Sequence, residues 1–95
     1  MELGQIEIFL AAADCGSFSG AAERLYVTHS TVSRTIQALE GELETRLFIR
    51  GSRGVSLTPA GARLRTGGAQ LLESAAALVE NVRKKGEEIC GNTED

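Results

Sequence analysis

The chain has 95 residues, a formal net charge of −3, one proline and few aromatic side chains. This length allows one small domain with at most an appendage. No stretch approaches the roughly 18 apolar residues of a membrane span, and the N-terminus lacks the basic and apolar segments of a secretory signal. Cys15, Cys90 and His29 are too few soft ligands for a structural zinc site. We therefore expect a cytoplasmic protein with free thiols and without a metal or cofactor.

The charges are segregated along the chain. An acidic total normally argues against a nucleic-acid partner, but residues 45–72 contain no Asp or Glu and five arginines, whereas residues 1–23 contain four acids and no Lys or Arg. One local surface can therefore be positive although the whole chain is negative. The five arginines are Arg46, Arg50, Arg53, Arg63 and Arg65.

Two helices are predicted before residue 26. Apolar residues at three-to-four spacing predict helix 1 over residues 3–15, and Gly16 suits the left-handed position that ends it. Ser17 is a good N-cap for a shorter helix 2 that runs to Leu25. Ala21-Ala22 would allow this helix to cross a neighbour closely.

The third predicted helix has two different ends. Thr28 is its expected N-cap, and Val27 and Val32 have the spacing of a hydrophobic staple. Its first half contains no acid, whereas its second half contains three glutamates. The residues predicted to face the core are Val32, Ile36, Leu39 and Leu43.

A β-hairpin and a long helix are predicted after residue 46. The apolar run 47–49, the turn 51–54 and the alternating segment 55–57 indicate the hairpin. Thr58 and Pro59 are typical N-cap and N1 residues of the long helix.

We expect the long helix to span residues 59–89, followed by a frayed tail over 90–95. Apolar and small residues spaced by seven predict a seam that contacts a partner helix. Gly67-Gly68 costs about 1 kcal/mol per residue in a helix, and marks either a close approach of another helix or a kink. The predicted dimerisation residues are Leu64, Gly68, Leu71, Ala75, Leu78 and Val82.

Two short helices with a tight connector, followed by a hairpin, predict a mostly α winged helix-turn-helix domain over residues 1–58. The helix-turn-helix unit would be 18–37 and the wing 48–57. In this geometry the start of the third helix enters the major groove of DNA, and phosphates on both walls explain why it carries no carboxylate. The predicted DNA-binding residues are Thr28, His29, Ser30, Thr31, Ser33, Arg34 and Gln37 on the helix and Arg50 and Arg53 on the wing.

The side-chain chemistry suits this assignment. Arg34 can bond guanine and Gln37 adenine, each through two hydrogen bonds. Arg50 and Arg53 are placed to reach backbone phosphates or the minor groove. Simpler interpretations remain open at this point: Thr28 can act only as a cap, Arg34 and Arg53 as surface ion-pair partners, and Thr31, Ser33 and His29 as solvated surface residues. For Arg46, Arg63 and Arg65 we favour solvated surface.

The sequence resembles the DNA-binding region of LysR-type transcriptional regulators from Leu3 to about Val82. This resemblance implies a winged helix-turn-helix and a linker helix that pairs antiparallel with that of another subunit. It also implies dimers or tetramers on an imperfect dyad site, and a larger domain, binding a small-molecule effector, after the linker. The matching elements are Phe9, Gly16-Ser17-Phe18-Ser19, Ala21-Ala22, Leu25, Val32-Ser33, Ile36, Leu39-Glu40, Leu47-Phe48, Arg50, Arg53 and Leu57-Thr58-Pro59-Ala60-Gly61.

Three departures from the family pattern stand out. His29 replaces the usual Gln, Ser30 replaces a frequent Pro, and Glu44 stands where a Gly usually ends the third helix. Either the helix continues past Glu44 or this residue adopts a strained conformation. No effector domain follows, so the chain is either a fragment or a shortened protein.

Other functions are disfavoured. An enzyme would need partners for the single histidine or a phosphate-binding glycine loop, and the chain has neither pattern. One alternative is a winged-helix module for protein interaction, which the acidic total favours weakly. Another is the similar domain of molybdate-responsive regulators. The sequence favours a dimeric, sequence-specific DNA-binding domain of a transcriptional regulator.

Overall fold

The computed structural model describes residues 1–84. Helices 1–3 and the hairpin match the sequence predictions, and the long helix begins at the predicted residue. Residues 85–89 of the predicted long helix and the predicted tail 90–95 lie outside the described residues. The elements are α1 (Leu3–Cys15), α2 (Phe18–Leu25), α3 (His29–Leu43), β1 (Phe48–Gly51), β2 (Gly54–Leu57) and α4 (Pro59–Arg83).

Side-chain caps fix where three of the helices begin. The hydroxyl of Ser17 accepts a hydrogen bond from the Gly20 amide at 2.8 Å. Thr28 and Thr58 cap α3 and α4 in the same way. These contacts satisfy backbone N–H groups that a helix leaves without internal partners, which is why the helix starts were visible in the sequence.

The end of α3 settles the question raised by Glu44. This residue ends the helix in the left-handed conformation, with φ of 56°. A side chain there costs about 1 kcal/mol, which glycine would avoid. The same conformation is found at Tyr26, between α2 and α3, with φ of 59°.

Three phenylalanine rings join the hairpin to the helices. The Phe48 ring of β1 lies 5.3 Å from that of Phe9 and 5.5 Å from that of Phe18, centroid to centroid. All three residues are buried, and tilted or edge-on ring pairs of this kind are favourable. The wing is therefore anchored in the same core as α1 and α2.

The predicted core stripe of α3 is correct except at its end. Val32, Ile36 and Leu39 are buried, but Leu43 is 38% exposed. The last turn of α3 lies beside the start of the chain, where the Met1 amino group donates to the Glu42 carboxylate at 2.6 Å. Leu43 therefore lies at the edge of the core.

The first turns of α4 pack on the chain's own domain. Gly68 is buried, and a Cβ there would lie 2.9 Å from Cγ2 of Ile6 in α1. Leu64 packs against the core cluster. The glycine therefore allows the close approach of α1, and α4 remains helical through this region. Two predicted seam residues, Leu64 and Gly68, thus contact their own domain, and the contact of the seam with a partner helix stays a prediction.

An ion-pair network adds to this packing. Asp14, at the end of α1, accepts a hydrogen bond from Arg65 at 2.6 Å and lies 3.7 Å from Arg24. Arg65, predicted as solvated surface, is half exposed and also pairs with Asp14. Such exposed pairs contribute at most about 1 kcal/mol.

Within residues 1–84, no helix combines the length and apolar character needed to cross a membrane.

Candidate nucleic-acid interface

One face of α3 is exposed and polar. Ser30, Arg34 and Gln37 are exposed and follow each other at spacings of four and three, which places them on one side of the helix. The buried residues of α3 occupy the opposite side. His29 is exposed beside them, and Ser33 is half-buried. The predicted helix residues therefore form one continuous surface at the start of α3.

Thr28 and Thr31 have an additional structural role. The Thr28 hydroxyl accepts from the Thr31 amide at 3.1 Å, and the two hydroxyl oxygens are 3.0 Å apart. One lone pair of Thr28 is thus used for capping. Its hydroxyl group still lies at the exposed N-terminal end of α3, where free N–H groups favour an anion.

Positive charge at this surface is not neutralised within the described part of the chain. No carboxylate of residues 1–84 forms an ion pair with Arg34 or Arg53, so the ion-pair interpretation of these residues is not met there. The first turn of α3 contains no acidic residue. A phosphate that approaches this first turn would therefore meet no carboxylate of the turn itself.

The wing carries two arginines at different distances from the body of the domain. The strands pair antiparallel with Gly51 opposite Gly54, so that Ser52 and Arg53 form the tip. Arg50 lies one position before Gly51, on β1, with an exposed side chain. Arg53 can thus reach furthest from the domain, whereas Arg50 lies near His29, at the start of α3.

A close backbone contact holds the wing against the start of α2. The Val55 amide donates to the Gly16 carbonyl at 3.0 Å. Gly54 has φ of 127°, and a Cβ at this position would overlap the Gly16 carbonyl oxygen. Only glycine fits both the conformation and the space.

Glu40 ties the wing to α3, a role that the sequence analysis missed. Its carboxylate accepts from the amides of Leu47 at 2.8 Å and Phe48 at 3.3 Å, and the Arg46 Nε lies 3.7 Å away. In the sequence, Glu40 stood out only as an acid of the second half of the helix and as part of the family match. No local pattern reveals this role, because the two amides are seven and eight residues downstream.

Phe18 is a second residue whose contact with the interface the sequence did not reveal. The guanidinium carbon of Arg50 lies 4.8 Å from the centroid of its ring, and the His29 ring centroid lies 6.2 Å away. The buried ring is therefore next to one DNA-facing candidate on the wing and one on α3.

The described region was also searched for candidate metal ligands. Residues 1–84 contain no group of three or more His, Cys, Asp or Glu side chains placed to hold a metal ion.

Comparison with known proteins identifies the family. The model described as "Bacterial regulatory helix-turn-helix protein, lysR family" matches residues 3–62. The HTH-type transcriptional regulator YofA of Bacillus velezensis is 52% identical over 64 residues, which cover 67% of this chain and 22% of that protein. TfdS of Cupriavidus pinatubonensis is 42% identical over 83 residues, which cover 87% of this chain and 28% of that protein. This chain thus spans about a quarter of the length of these relatives, which are named as transcriptional regulators rather than as enzymes.

Two solved structures show the same architecture. The DNA-binding domain of CbnR, crystallised with DNA, has a TM-score of 0.85 and 36% identity, covering 87% of this chain and 95% of that one. The DNA-binding domain of BenM, crystallised with catB site 1 DNA, has a TM-score of 0.87 and 33% identity, covering 98% of this chain and all of that one. The family match, the relatives and these structures agree, and the chain belongs to the LysR family of bacterial regulatory helix-turn-helix proteins.

Proposed function

We propose that this chain binds double-stranded DNA sequence-specifically, as the DNA-binding part of a LysR-type transcriptional regulator. The observation that carries the proposal is the exposed, carboxylate-free start of α3 beside a wing with an exposed arginine at its tip. Similarity to domains crystallised with DNA supports it. The protein would act in the cytoplasm, where bacterial DNA is found.

Different side chains would contact different parts of the DNA. Arg34 and Gln37, on the outer face of α3, would contact base edges in the major groove. Arg50 and Arg53 would contact the sugar-phosphate backbone or the minor groove. The hydroxyl groups of Thr28, Ser30, Thr31 and Ser33, together with His29, would complete the contacts at the start of the helix.

The distal part of α4 supports a homodimer. Leu71, Leu78 and Val82 are 44%, 64% and 73% exposed, which is unusual for large apolar side chains on one helix. Ala75, between them, is half-buried. A second copy of α4 packed on this face would bury them and place two winged domains on an imperfect dyad site.

The experiment is a selection from random duplexes with the purified chain, followed by anisotropy binding at two salt concentrations. We expect enrichment of a dyad-symmetric site and its loss in the Ser33→Ala/Arg34→Ala variant. Arg63→Ala is the matched control, because Arg63 is an exposed arginine on α4, outside α3 and the wing. Salt-sensitive binding without enrichment would contradict sequence specificity. Absence of binding at low salt would favour the protein-interaction alternative.

A further inference from the structure

One aromatic ring joins the core to both DNA-facing elements. Phe18 is only 4% exposed, and its ring meets that of Phe48 edge-on, with an interplanar angle of 84°. On its other sides it lies next to the guanidinium group of Arg50 and the ring of His29. The core thus holds the ring in place, while the two polar side chains are exposed.

Arg50 benefits from such a support. Its side chain is exposed, and no carboxylate of residues 1–84 forms an ion pair with it. A free arginine loses many rotamers when it binds, and this loss opposes binding. A guanidinium group that is already stacked on a fixed ring has lost part of this freedom before the ligand arrives.

We propose that Phe18 is a positioning residue for DNA binding, whose ring holds the Arg50 guanidinium in the orientation that meets the DNA backbone. The proposal rests on the proposed function. The same ring also lies next to that of His29, at the start of α3. Phe18 does not touch DNA in this arrangement and acts through Arg50.

The size of the effect follows from the stacking. An exposed cation–π contact corresponds to about a 2- to 5-fold change in an equilibrium constant. We expect Phe18→Leu, which keeps an apolar side chain but removes the ring, to lower DNA affinity by about this factor.

Phe9→Leu is the matched control. The Phe9 ring is also buried and contacts Phe48 at 5.3 Å, but no cation of residues 1–84 is stacked on it. Both variants remove a core ring, so a loss of folded protein affects both, and only Phe18→Leu removes the support of Arg50.

The test is a double-mutant cycle measured by anisotropy on the selected duplex. We expect Phe18→Leu to lose about 2- to 5-fold more affinity than Phe9→Leu when Arg50 is present, and no more than Phe9→Leu in the Arg50→Ala background. Equal extra losses in both backgrounds, or an Arg50→Ala variant with unchanged affinity, would overturn the role of Phe18. A wild-type chain that binds no duplex would instead refute the proposed function and this role together.

Two further measurements do not depend on a core substitution. In the DNA-free protein, NMR should show the Arg50 side-chain protons shifted upfield by the Phe18 ring current, and random-coil shifts would contradict the stacking. Arg50→Lys keeps the charge but not the planar guanidinium, and should lower DNA affinity at least 2-fold. Full affinity in Arg50→Lys would overturn the proposal.

Discussion

Glu40 gives the sharpest test of how the wing is held. Glu40→Ala removes the carboxylate that accepts from two amides, at 2.8 and 3.3 Å, in a segment where Leu47 and Phe48 are almost fully buried. A hydrogen bond to a charged group contributes about 1.5–3 kcal/mol, and an amide left unpaired on burial costs about as much. The Glu40 side chain is 17% exposed, and its 3.3 Å contact with the Phe48 amide is weak. The expected loss of stability therefore includes only the hydrogen bond from the Leu47 amide. The free energy of unfolding should fall by about 2–3 kcal/mol.

Urea unfolding followed by circular dichroism, at one fixed protein concentration, measures this change. Glu42→Ala is the control, because Glu42 is on the same helix but is 51% exposed and, among residues 1–84, pairs only with the terminal amino group. This surface pair should contribute less than about 1 kcal/mol. The reasoning is refuted if Glu40→Ala is no more destabilising than Glu42→Ala. DNA affinity should also fall in Glu40→Ala, because the base of the wing is no longer tied to α3.

Four other predictions test separate parts of the molecule. Arg34→Ala should cost about 1–3 kcal/mol on the selected site and relax the preference at one base position, as measured by anisotropy on single-base variants. Arg53→Ala should weaken binding to all duplexes and reduce the salt slope by about 1; a loss on one sequence alone would contradict backbone contact. Leu71→Asp should give monomers in light scattering, and an intact dimer would mean that another surface pairs. Gly67 faces open space whereas Gly68 faces Ile6, so in urea unfolding Gly68→Ala should be less stable than Gly67→Ala by about 1–3 kcal/mol; equal stabilities would contradict the tight packing of α4 on α1.

The helices and strands could be predicted from the sequence because interactions between residues close in sequence determine where each element begins and ends. A cap such as Ser17 or Thr28 bonds an amide only three residues away, so its effect is visible in a short stretch of sequence. The alternation of the hairpin and the spacing of the α3 core stripe are local in the same sense. Only Leu43 departs from the stripe, because its turn lies at the edge of the core.

The contacts that the sequence did not reveal join distant residues. Asp14 and Arg65 are 51 positions apart, and Glu40 accepts from amides seven and eight positions downstream. The heptad spacing of α4 identified residues that share a face, but spacing does not say what covers that face. Leu64 and Gly68 pack on their own domain, and the contact of the whole seam with a partner helix remains a prediction.

The glycine contact with α1 also fixes the helical phase of α4. Each residue turns an α-helix by about 100° and advances it by about 1.5 Å. One residue inserted between Gly68 and Leu71 would leave the winged domain intact but rotate the exposed apolar face by more than a quarter turn relative to it. In a dimer formed through that face, the two winged domains would be oriented differently relative to each other, while each could still contact the same bases. Operator spacing and base preference would then be inherited from different stretches of the chain, and each could change in evolution without the other.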